Sequence, residues 1–232
     1  GMGIPDNGEI WHMLDQRFGI PPTLIEFTTL HSHDLSAYNV IILANGSPTE
    51  PLSPQALPKL KEWVENGGTL ITTGSAYKLT NKAKITDFKT LSQGKKKDKA
   101  EGNAHIEYQP YHNTAKSKSG IEGVIFNCHL DITSPLGYGY ENPNVAIMKN
   151  GTTVMDFSQI KGSSPMQYTK QPYLSGCVSL ENIKRISNAP ASIVSGCGKG
   201  NVIWFADDLN YRSYWFGGTK IFMNAIYFGQ LY

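Results

Sequence analysis

Residues 38–73 constrain the fold more than any other stretch of the chain. "YNVIILA" (38–44) is apolar through its centre, as in a strand covered on both faces. "SPQALPKLKEWVENGG" (53–68) follows as a punctuated helix. Ser53 is placed to cap it, Pro54 suits its first turn, and Leu57, Leu60, Trp63 and Val64 repeat at helical spacing before Gly67. "TLITT" (69–73) is a second buried strand. Strand, helix, strand at this spacing is a βαβ unit, so the two strands are expected to be parallel with a right-handed crossover. Asn45, Gly46 and Ser47 then share one sheet edge with Gly74 and Ser75, the edge at which open α/β sheets bind ligands.

The rest of the chain extends this pattern. "GEIWHMLDQRFG" (8–19) predicts a helix with Ile10, Trp11, Leu14 and Phe18 on its apolar face. "TLIEF" (23–27) predicts a short strand and "GVIFNCHLDI" (123–132) a longer one. "VAIMKNGTTVMDF" (145–157) reads as a hairpin turning at Asn150-Gly151, and 191–206 as a second one turning at "GCGKG". "TKIFMNAIYFG" (219–229) is an amphipathic closing helix. An opening apolar strand ahead of the first helix, usual in a doubly wound sheet, is missing. Gly1-Met2 reads as the remnant of a cleaved tag, so an excised piece of a longer polypeptide is expected.

At 232 residues the chain can bury a core without staples. Its net charge of +2 gives no broad electrostatic reason to expect nucleic acid. No apolar run reaches the roughly 18 residues that span a bilayer, and no signal peptide is evident. Seven lysines fall between Lys82 and Lys99, and the segment 82–120 reads as a solvated insertion or connection. The cysteines are Cys128, Cys177 and Cys197, so at most one pair can form, and buried free thiols are expected. No Cys/His spacing matches a zinc site, and neither metal nor cofactor is expected.

Four groups of residues are candidates for chemistry. Ser75 occupies a strand-to-helix turn, but a nucleophile elbow needs small residues on both sides, and here they are Thr73 and Tyr77. His129 and Asp131, at i and i+2 on a strand, point the same way and can orient an imidazole, or form a polar pair on an outer face. His31 and His33 flank Ser32 without further ligands at metal spacing. "FADDLNYRSYWFGG" (205–218) sets Asp207 and Asp208 at the end of a buried strand, with Arg212 in an aromatic loop beyond. With Asn45, Ser47 and Ser75, these three form the expected ligand-binding set.

"GEIWHMLDQRFGIP", "YNVIILANGS", "LKEWVENGGTLITT", "LDITSPLGYGY" and "GKGNVIWFADDLNYRSYWFGGTKIFMNAIYFG" together resemble one family: the class I glutamine-amidotransferase-like domain at the C-terminus of secreted bacterial zinc carboxypeptidases. The resemblance covers most of the chain, residues 1–232 as a single domain. It implies a flavodoxin-like three-layer α/β sandwich, mostly parallel, with antiparallel hairpins towards the C-terminus. It also implies an upstream zinc-peptidase domain in the same polypeptide, a peptide or cell-wall ligand, and a periplasmic or extracellular location. The peptidase's HxxE-type zinc motif does not occur here. Carried over residue by residue, the amidotransferase nucleophile's place falls at Gly74-Ser75, without its Cys. The late His-x-Glu falls near Asp207-Asp208, without its His. The family's "TxPL" motif is expected to hold a His where this chain has Ser134. The implied function is therefore a non-catalytic accessory domain for substrate recognition or interdomain docking. The alternative is a degenerate hydrolase or amidotransferase-type enzyme using Ser75, or His129 with Asp131.

Overall fold

The computed structural model describes residues 4–46, 53–91, 120–156 and 162–232. Ser47 and most of the lysine-rich segment lie outside these residues. The expected βαβ unit is present. Strand β1 (Val40–Leu43) crosses through helix α2 (Ala56–Glu65) to β2 (Thr69–Thr73), and the two strands pair in parallel. Every residue of β2 is buried. Ser53 does not cap α2. The helix begins at Ala56 with Gln55 in the capping position, because the chain first turns at Pro54-Gln55.

Helix α3 (Tyr77–Lys82) follows β2 closely. Then β3 (Val124–Leu130), β4 (Asn144–Lys149) and β5 (Met166–Ser175) form an antiparallel sheet in the order β4-β3-β5. The hairpin predicted at Asn150-Gly151 does not form. β4 pairs with β3 over six residue pairs, and the chain beyond Gly151 leaves to make a bridge between Met155 and Thr90. The apolar alternation of β3 offers β4 a better buried partner than residues 152–156 do. β5 and helix α4 (Leu180–Ile186), capped by the Ser179 hydroxyl, carry patterns too polar to stand out in the sequence.

The second predicted hairpin is correct: β6 (Ser192–Cys197) and β7 (Gly200–Phe205) are antiparallel neighbours. β7 inserts beside β2 in parallel, giving the main sheet the order β1-β2-β7-β6. The closing helix α5 (Thr219–Phe228) packs Ile221, Phe222 and Ala225 into a core shared by both sheets, with Ile71, Ile203 and Phe205 from one and Phe126, Cys128 and Ile147 from the other.

The N-terminal region departs most from expectation. Helix α1 (Ile4–Trp11) runs on as a π-helical turn over His12–Arg17. Ile10, Met13 and Leu14 are buried, whereas Trp11 and Phe18 are exposed. Ile10, Met13 and Leu14 stand at i, i+3 and i+4, and the wider π turn carries Phe18 off their stripe. The strand predicted at 23–27 is absent. Pro21 and Pro22 lack N–H donors, and Thr23–Ile25 line a cavity of about 440 Å³ with β1 on its other side. That cavity touches all four residues of β1. Successive strand residues point to opposite faces, so it runs along the open edge of the sheet. Cys128 is buried as expected, but Cys177 is exposed, because it falls in the turn after β5, and all three thiols are free.

Candidate functional site

A cleft of about 330 Å³ opens at the C-terminal ends of β1, β2 and β7. Each strand delivers a group to it: Asn45 after β1, Gly74 and Ser75 after β2, and Ala206 and Asp208 after β7. The parallel register of these strands is what places the three loops together.

Asn45 organises the β1–β2 side. Its backbone N–H donates to Thr73 Oγ1 at 2.8 Å. Its Oδ1 accepts from the Ser75 N–H at 2.8 Å and from the Ser75 hydroxyl at 2.9 Å. Its Nδ2 donates to Asp6 Oδ1 at 3.4 Å. Gly74 permits this approach. It sits at φ +50°, and a Cβ there would lie 2.4 Å from Asn45 Oδ1. The Ser75 hydroxyl also accepts from the Gly46 N–H at 3.2 Å. Its proton is directed at a neutral amide. Among the described residues, neither an imidazole nor a carboxylate takes a hydrogen bond from it.

The β7 side separates two adjacent carboxylates. Asp207 is fully buried and paired with Lys149 Nζ at 2.7 Å, and Lys149 is itself buried. The Tyr168 hydroxyl donates to the other Asp207 oxygen. Lys149 Nζ lies 3.3 Å from the same hydroxyl. This network ties β4 and β5 to the end of β7. Burial first, and then the Asp207 charge, hold the Tyr168 phenol well above its ordinary pKa. Asp207 does not line the cleft as the sequence suggested.

Asp208 does line it. Its Oδ1 accepts from the Asn210 N–H at 3.0 Å. Its carboxyl also lies within hydrogen-bonding reach of Glu9 on α1. Glu9 Oε2 is buried with no donor of its own among the described residues. Two carboxylates provide no hydrogen between them, so the contact is satisfied only when the pair holds a proton. Burial, then the bond and charge of Glu9, raise the Asp208 pKa to about 8. Asp6, one turn before Glu9, is raised too, first by burial and then by the Asp208 charge.

Arg212 stands in the cleft wall with φ +47°, and Ser213 beside it has φ +57°. Two consecutive non-glycine residues in the left-handed region are costly, of order 1–3 kcal/mol each. The turn is held from outside: the Arg17 guanidinium donates to the Ser213 carbonyl and covers the Phe216 ring at 4.3 Å. Arg212 lies 5.3 Å from the Tyr211 ring centre.

His129 and Asp131 are elsewhere. His129 is an exposed residue of β3, opposite Asn144 and Gln167. Asp131 lies past the strand's end and accepts from the Thr133 hydroxyl at 2.6 Å and N–H at 2.9 Å, bonds that lower its pKa. Neither residue lines the cleft. His31 and His33 turn their Nδ1 atoms to the carbonyls of Thr28 and Thr29. Among the described residues, no group of three His, Cys, Asp or Glu is placed to hold a metal ion.

Sequence reasoning missed Asp6, Glu9, Asn150, Gly151 and Thr153, all of which line the cleft. Asp6 and Glu9 stand at i and i+3 on α1. That spacing signals one helix face, though not the sheet edge it overhangs. Asn150 and Gly151 form no hairpin tip and instead lead β4 into the cleft.

No protein-family model matches the sequence, and no curated protein matches it. Its fold has solved counterparts. The PurLQS structure from Thermotoga maritima aligns with a TM-score of 0.57 at 15% identity, covering 97% of this chain and 92% of the other. A ThuA-like protein from Bacteroides uniformis aligns at 0.55 and 9% identity, covering 95% and 82%. A GMP synthase protein from Thermoplasma acidophilum aligns at 0.52 and 9% identity, covering 95% and 86%. At these identities the similarity speaks to architecture, and it carries no carboxypeptidase link. The molecule has a mixed α/β fold of the glutamine-amidotransferase-like, ThuA-like kind, with its cleft at the C-terminal ends of the parallel strands.

Proposed function

We propose that this chain is a non-catalytic binding domain that uses the cleft at the ends of β1, β2 and β7 to hold a polar ligand. The observation that carries this reading is the state of Ser75. By the sequence resemblance it stands in the place of the amidotransferase nucleophile, and its hydroxyl donates to Asn45 Oδ1 and accepts from the Gly46 N–H. An activated nucleophile needs a base within hydrogen-bond reach. The walls support binding instead: acceptors from Asp6, Glu9 and Asn45, and a guanidinium at Arg212. The resemblance to accessory domains of secreted zinc carboxypeptidases supplies the finer proposal. In it, the domain presents or recognises the substrate of a peptidase carried on the same polypeptide, outside the cytoplasm.

The test is a binding and turnover screen of the purified chain with peptides, cell-wall fragments and glutamine. Saturable binding without product, weakened at least tenfold by Asp208→Ala and Arg212→Ala, is the expected result. Unchanged binding in both variants would remove the cleft from the proposal.

One observation favours a second reading, a degenerate hydrolase. Burial, and then Glu9, raise the Asp208 pKa to about 8, in the range that suits a general acid near neutral pH. Release of glutamate from glutamine, abolished by Ser75→Ala or Asp208→Asn, would establish it over the first.

A further inference from the structure

The loop that walls the cleft continues into a second cavity, of about 480 Å³, lined by Tyr140, Val145, Ala146, Tyr214, Trp215 and Phe216. The two cavities share both walls. Residues 208–217 form one, with Asp208 and Arg212 at the cleft end and Phe216 at the groove end. Residues 144–153 form the other, running from Val145 in the groove to Thr153 in the cleft. Tyr211 in the cleft and Tyr214 in the groove join them, with ring centres 6.0 Å apart.

The groove's rings are fixed in place. The Trp215 indole N–H donates to the Ala146 carbonyl at 3.2 Å, the Tyr214 hydroxyl reaches Met148 Sδ at 3.8 Å, and the Tyr140 hydroxyl donates to the Gly217 carbonyl at 3.4 Å. Yet Phe216 is 67% exposed and Tyr214 53%. The Tyr214 hydroxyl is used up while its ring remains exposed, and Arg17 lies over the Phe216 ring and leaves most of it exposed, so the platform needs little reordering on binding.

We propose that cleft and groove together bind one extended, uncharged oligosaccharide. The assignment rests on the non-catalytic binding reading and names its ligand. A sugar ring has an apolar C–H face and a rim of hydroxyls that both donate and accept. The groove offers aromatic rings to the first, and the cleft offers carboxyls, amides and a guanidinium to the second. The carboxyls of Asp6 and Glu9 disfavour an anionic chain, and the Arg212 guanidinium a cationic one. Trp215 argues against an added peptide strand: it occupies the Ala146 carbonyl on β4, an edge strand that would otherwise offer its backbone to one.

The experiment is calorimetric titration of the chain with chitotetraose and cellotetraose, with tetra-alanine alongside, and chromatography of the mixtures for cleavage. At least one saccharide is expected to bind and remain intact. Phe216→Ala and Asp208→Asn are each expected to weaken it at least tenfold, and Phe216→Trp to retain it. Phe216 is exposed, so its variants leave the core untouched; Phe216→Ala also removes the ring beneath Arg17, whereas Phe216→Trp keeps one there. No saccharide binding, or binding indifferent to Phe216→Ala, overturns the assignment. Tetra-alanine bound instead, and weakened by Asp208→Asn, overturns it while leaving the binding reading intact. A saccharide bound and cleaved keeps the assignment and overturns the non-catalytic reading.

Discussion

Asp207 turns inward from the end of β7 to meet Lys149 and Tyr168, while Asp208, the next residue, faces Glu9 and Asp6 across the cleft. Both are carboxylates removed from much of the surrounding water. Asp207 has a cation and a phenol as partners, so its charge is matched where it is buried. Asp208 has another acid, so its environment favours the neutral form. The comparison teaches that burial alone does not assign a role to an acidic residue; the partner does. A matched charge joins two sheets, and a mismatched one is held towards its neutral form.

Removing the cation should break the first half of this comparison most severely. Lys149→Met leaves Asp207 buried without its counter-charge, and a loss of about 3–5 kcal/mol in chemical denaturation is expected. Adding Asp207→Leu should recover much of it. A single variant as stable as the parent would mean that the pair does not hold the sheets together. Tyr168→Phe keeps the ring and removes one charge-assisted bond, so about 2 kcal/mol should be lost, with no recovery from pH change between 6 and 8.

Asp208→Asn tests the second half, with opposite sign. The Asp208 pKa is raised in the folded chain, so its contribution is present below about pH 4 and is lost as pH rises through about 8. Replacing it should stabilise the protein by about 1–2 kcal/mol above pH 8 and change little at pH 4. A pH-independent effect would contradict the shared proton. The smallest expected signal is chemical. Cys177 is exposed and should react at once with a thiol reagent. Cys128 is buried with its pKa pushed well up, first by burial, and should react only on unfolding. Labelling of Cys128 thus times the opening of the core beside Lys149 and Asp207.

The parallel half of the fold was legible because each of its elements satisfies its own pattern. β2 is buried throughout and reads as an unbroken strand, and α2 shows its stripe of Leu60, Trp63 and Val64. The sheet edge carrying Asn45, Ser75 and Asp208 followed from that topology. What failed depended on partners distant in sequence. Residues 23–27 have strand composition but meet a cavity where a ladder should be. β4 looks like half of a local hairpin because β3, its actual partner, begins at Val124, a long loop away from Asn144. The division between Asp207 and Asp208 turns on Lys149, Tyr168 and Glu9, each on a different element, and no local pattern announces such a convergence.

The open edge of β1 has a consequence for the motions of the cleft. Among the described residues this strand has one ladder instead of two, and Val40, Ile41 and Ile42 are only half buried. Its amides should exchange with deuterium well before those of β2 and β7, through an opening that leaves the core folded. Asn45 hangs directly from its end, and with it the contacts to Ser75 and Asp6. One side of the cleft is therefore suspended from an edge strand of its sheet. A ligand that bridges Asn45 to Asp208 should act as a clasp, slowing exchange in β1 more than anywhere else in the molecule.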